Sequence, residues 1–82
     1  MSSGINSTVF VDIKRDNLKS GGIYDCMNTL YDLLERSGYT RKGSVHVTRK
    51  GFFVGLDKNL DEATYKEIAR IEGIENVDVV PF

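Results

Sequence analysis

The chain has one cysteine, one histidine and one proline, and no apolar run long enough to cross a bilayer. Each scarcity removes a class of proteins. A single cysteine, Cys26, excludes an intramolecular disulfide, and with His46 as the one imidazole there is no Cys/His cluster of the kind that holds zinc, so no metal and no cofactor is expected. The polar, uncharged beginning MSSGINST lacks the basic and apolar regions of a secretory signal, and a membrane helix needs about 20 apolar residues, so a cytoplasmic protein with no membrane association is expected. Catalysis is also poorly served. A nucleophile or general base needs a partner group within hydrogen-bond reach, yet His46 stands between Val45 and Val47 with no carboxylate close in sequence. Cys26 falls on an apolar helical stripe, where a free cysteine behaves as a small core residue. No enzyme is expected.

What is present suits one small core. The 82 residues are 40% hydrophobic and 28% charged, the balance of an ordinary soluble domain. A flexible tail is expected at 1–6 and a single domain over 7–82. Charge is unevenly placed: residues 14–50 carry eight bases against four acids, whereas from residue 51 onward three bases face seven acids. Such a bipolar chain differs from the strongly basic balance of a dedicated nucleic-acid binder.

Periodicity sets the elements. In STVFVDIKR, Val9, Val11 and Ile13 alternate with Phe10, Asp12 and Lys14, the period of a strand with one buried face. From Ile23 to Leu34, the residues Ile23, Cys26, Met27, Leu30, Leu33 and Leu34 recur at three and four, which makes one helical stripe. Ser20 is expected to cap its start and Gly38 to end it. Ser44–Thr48 alternates again and Phe52–Leu56 is rich in strand formers, so the two form a hairpin across Lys50-Gly51. Asn59 with Glu62 reads as a capping box before the stripe Leu60, Ala63, Thr64, Ile68, Ile71, which Gly73 stops. A last strand, Asn76–Val80, ends at Pro81.

The order is βαββαβ, which most economically gives an α+β, ferredoxin-like domain: a four-stranded antiparallel sheet with two helices on one face. Val9, Val11, Ile13, Val45, Val47, Phe52, Val54, Leu56, Val77 and Val79 would then meet the helices, leaving Phe10, His46, Phe53, Asp78 and Val80 on the open face. The tetrapeptide Thr-Arg-Lys-Gly occurs twice, at Thr40 and Thr48. A strand of about five residues spans roughly 17 Å, so the copies belong to opposite ends of the sheet and read as turn chemistry, with glycine supplying backbone freedom. Beside the second copy, the bases Lys14, Arg15, Lys19, Arg49 and Lys50 surround a glycine-rich helix start that could attract an anion.

Two stretches resemble the RNA-recognition-motif family, which shares this element order over the whole chain. Val9-Phe10-Val11 is similar to its first-strand hexamer, with Phe10 at the outward aromatic position. Arg49-Lys50-Gly51-Phe52-Phe53-Val54-Gly55-Leu56 is similar to its third-strand octamer, matched at Arg49, Phe53 and Val54, with Gly51 standing where a second outward aromatic belongs. The resemblance implies single-stranded RNA stacking on Phe10 and Phe53. Gly22-Ile23 resembles the effector-binding helix start of ACT domains without their Asp-x-Pro-Gly spacing, and Gly51–Val80 is similar in outline to subtilisin-type propeptide inhibitors. Tyr24 and Tyr31 lie at the edge of the first helical stripe as core-rim residues. The expected function is a small non-catalytic regulator or inhibitor acting through protein contacts or as a homodimer on the face of Phe10, His46, Phe53 and Val80, with RNA binding there as the alternative.

Overall fold

Alternating strands and amphipathic helices can bury their apolar sides only against one another, and the computed structural model, which describes residues 7–81, shows how they do so. The elements are β1 (Ser7–Ile13), α1 (Arg15–Lys19), α2 (Ile23–Arg36), β2 (Arg41–Val47), β3 (Gly51–Leu56), α3 (Glu62–Ala69) and β4 (Ile74–Pro81). The strands form one sheet in the order β2-β3-β1-β4, antiparallel at every pairing. This is the expected α+β arrangement of a four-stranded antiparallel sheet, with three helices where two were expected. The tail expected at residues 1–6 lies outside the described residues.

The core sits between the sheet and the two longer helices. Val9, Val11 and Ile13 of β1, Phe52, Val54 and Leu56 of β3 and Val77 of β4 meet Ile23, Cys26, Leu30, Leu33 and Leu34 of α2 and Ile68 of α3. Each such side chain contributes about 1.5–3 kcal/mol on leaving water. Tyr39 joins this core, and its hydroxyl accepts a 2.9 Å hydrogen bond from the Asp61 backbone N–H. Ser7 is also buried, its hydroxyl donating to the Lys58 carbonyl at 3.0 Å.

Several expected boundaries move. Residues 15–19 coil into α1, whose five residues have no apolar repeat to announce them; only Leu18 packs against the core. Ser20 therefore closes α1, its hydroxyl donating to the Asn17 carbonyl at 3.1 Å, and cannot cap α2, which starts after Gly22 without a side-chain cap. The stop at Gly38 is as expected, with φ +86°. The cap of α3 is Asp61, which accepts from the Thr64 N–H at 2.7 Å, in place of Asn59 with Glu62. The Tyr39 hydroxyl pins the Asp61 N–H, so the helix begins at Glu62, with Thr64 and Ile68 buried and Ala63 exposed.

The strand β2 starts at Arg41, before the expected Ser44, because the chain absorbs extra residues mid-strand. Lys42 pairs with Gly55 and His46 with Phe53, so residues 43–45 bulge opposite Val54, with Gly43 at φ +77°. Val47, expected in the core, is 57% exposed. It lies opposite buried Phe52 on an outer strand, where the core reaches Val45 but not Val47. At the other edge β4 runs from Ile74 through Pro81, a residue tolerated on a strand that, among the described residues, pairs on one side alone.

Candidate binding surface

Residues opposite each other on antiparallel strands point to the same side of the sheet, so the register alone builds the face turned away from the helices. Its middle row crosses the whole sheet: His46 of β2 faces Phe53 of β3, Phe53 faces Phe10 of β1, and Phe10 faces Asp78 of β4. A second row runs Lys42, Gly55, Thr8, Val80, and a third contains Gly51, Asp12 and Asn76. The three rings of the middle row are in contact. His46 stacks on Phe53 with centroids 4.8 Å apart and an 18° tilt, and Phe53 meets Phe10 at 5.0 Å and 36°. Such pairs add about 0.5–1.5 kcal/mol beyond the area they bury.

The platform stays open to solvent. Phe10 is 39% and Val80 46% exposed, His46 is exposed, and Phe53, gripped on both sides, is half-buried. Along β3 the same-face neighbours of Phe53 are Gly51 and Gly55, so its ring stands between two positions without side chains. Gly51 answers a further need. Its backbone does not adopt positive φ, contrary to the turn role expected of it; a Cβ there would run into the Val11 carbonyl oxygen. The glycine thus permits close approach of β1. The turn itself is held by Thr48, whose hydroxyl accepts from the N–H groups of Lys50 and Gly51 at 3.3 and 3.1 Å. The other Thr-Arg-Lys-Gly copy lies in the opening of β2, opposite Leu56 and Gly55, at the far end of the strand.

The charges on this face are graded from edge to edge. Lys42 lies on β2, whereas Asp12 and Asp78 occupy β1 and β4. The bases expected to gather at a helix start are only partly brought together. Arg15, Arg49 and Lys50 line one cleft of about 260 Å³ with Asp12 and Glu75, whereas Lys14 and Lys19 are exposed at the two ends of α1. The start of α2 opens on a different cleft of about 380 Å³, whose lining includes Asn17, Ser20, Gly22, Asp25, Cys26 and Glu72.

Cys26 is buried, with its thiol donating to the Glu72 carbonyl at 3.5 Å. Burial first, then the Asp25 charge, pushes the thiol pKa up against an opposing hydrogen bond from Asn17, which favours the thiol over the nucleophilic thiolate. Tyr24 projects into solvent, 64% exposed. Tyr31 does not match it: the Arg41 guanidinium lies 3.9 Å over its ring, and burial pushes the phenol pKa up while Arg41 pulls it down. No local pattern signals that pairing, since Arg41 lies in the early start of β2, ten residues beyond Tyr31. Among the described residues no group of three or more His, Cys, Asp and Glu is placed to hold a metal ion, and no helix is long and apolar enough to cross a membrane. Compared with known proteins, the chain matches no family model, no curated protein and no solved structure.

Proposed function

We propose that the protein is a non-catalytic binding module, a small regulator or inhibitor that acts through protein contacts made by its open sheet face. The observation that carries this reading is the contiguous row His46–Phe53–Phe10, ring against ring across three strands and exposed at Phe10. Rigid aromatic side chains contribute large contact area at little entropic cost and are enriched where proteins meet. Carboxylates at Asp12 and Asp78 on the same face oppose a phosphate backbone. The burial of Cys26 and the upward shift of its thiol pKa support the non-catalytic part of the reading.

Single-stranded RNA binding is the second reading, favoured by one feature: Phe10 and Phe53 sit side by side on the two central strands, 5.0 Å apart, where successive bases could stack. The experiment that decides is recovery of bound protein from the native host with and without nuclease, using wild type and Phe53→Ser. Nuclease-resistant recovery of a protein, lost in Phe53→Ser, is the expected result. Recovery that disappears with nuclease counts for RNA.

A further inference from the structure

The open face is complementary to itself. Of the two-fold axes in the plane of the face, two keep the strands of both copies aligned: one along the strands and one across them. The first, through the middle of the β3–β1 pair, sets β2 of one copy over β4 of the other and β3 over β1. In the middle row this places Phe53 over the second copy's Phe10 and His46 over the second copy's Asp78, since the row reads His46, Phe53, Phe10, Asp78 in order. An imidazole N–H is a donor in either charge state and a carboxylate an acceptor, so the ends of the row can pair while its rings stack. The flanking rows do not conflict with this: Lys42 meets Val80, and Asp12 meets Gly51, so no like charges are apposed. An axis across the strands would set the Asp78 carboxylates of the two copies face to face, which costs binding energy.

Resting on the reading of this face as a protein-contact surface, we infer that its occupant is a second copy of the chain, packed sheet to sheet about a two-fold axis parallel to the strands. Size sets the strength. Four strands about 4.8 Å apart and roughly 20 Å long present on the order of 400 Å² per copy, below the size of stable specific interfaces and in the range of weak, transient pairs, so the dimer dissociates on dilution.

The test is sedimentation of the full chain over a concentration series in low salt, with folding checked by circular dichroism. The expected result is a concentration-dependent monomer–dimer equilibrium that Asp78→Lys and His46→Asp each weaken by about tenfold or more, because the first removes the carboxylate that accepts from His46 and the second sets two carboxylates face to face. The double variant restores it, and an equimolar mixture of the two single variants dimerises better than either alone. Within one molecule positions 46 and 78 lie on opposite edge strands, three strand spacings or roughly 14 Å apart, so rescue cannot be intramolecular. A chain that stays monomeric up to about 1 mM, single variants without effect, or a mixture no better than its components overturns the inference. Monomeric wild type whose capture of a different protein is lost in Phe53→Ser overturns the second copy and leaves the contact surface standing. A dimer untouched by Phe10→Ser and Phe53→Ser overturns both.

Discussion

Leu30 lies at the centre of the α2 stripe with none of its surface exposed, and truncating it leaves a cavity that sheet and helix cannot close together. Leu30→Ala is expected to cost about 2–5 kcal/mol, a large share of the roughly 5–15 kcal/mol that stabilises a small domain. Urea unfolding measures it; a midpoint close to wild type would remove Leu30 from the core. Gly51 tests a different limit, since there an added methyl meets the rigid Val11 carbonyl and not a flexible side chain. Gly51→Ala is expected to destabilise by about 1–3 kcal/mol, although alanine is the milder residue by backbone entropy. A neutral or stabilising outcome in the same titration would show that β1 and β3 are not so closely apposed.

The helix α3 is short, eight residues with two buried side chains, so its start carries weight. Asp61 holds that start, and the hydrogen bond from Thr64, first among the causes, lowers its carboxyl pKa below the usual value. A carboxyl whose folded pKa is depressed binds fewer protons folded than unfolded. Its stabilisation is therefore complete above the unfolded value of about 3.9 and is lost as pH falls through the depressed folded value. Asp61→Asn, which keeps an acceptor for the cap, is expected to retain most of the thermal stability at neutral pH and to flatten its decline below pH about 4. Asp61→Ala is expected to lower the melting temperature at neutral pH as well. Melting curves of both variants from acid to neutral pH check this, and identical acid limbs for Asp61→Asn and wild type would contradict it.

Across the whole molecule the question is what leans on the open face. Phe10→Ser and Phe53→Ser alter side chains whose removal opens no core cavity, because Phe10 is exposed and Phe53 faces away from the helices. Both variants are expected to stay folded, to lose partner recovery, and to leave oligonucleotide titrations flat even at low salt. If RNA is the ligand instead, each change weakens its binding by roughly 1–3 kcal/mol, and neutralising Arg49 or Lys50 reduces the salt dependence. Fluorescence titration with a short single strand at two salt concentrations separates the outcomes.

The sequence determined which side chains would share a face, because period-two and period-three-to-four repeats follow from strand and helix geometry whatever the surroundings. Spacing alone places Phe10 and Phe53 outward and Val9, Val11, Leu30 and Phe52 inward, as they are in the fold. Tertiary structure decided what no local pattern encodes. The five residues of α1 are too few to show a period, and Gly43 hid the early start of β2 by interrupting its alternation with a bulge. Asp61 rather than Asn59 caps α3 because Tyr39, twenty-two residues away, fixes the Asp61 N–H. Val47 carries a core pattern yet stays in water because exposure depends on where the helices end, not on which way a side chain points. The order His46, Phe53, Phe10, Asp78 exists only once β2, β3, β1 and β4 are laid side by side, and pairing between distant strands is set by the packing of the whole core.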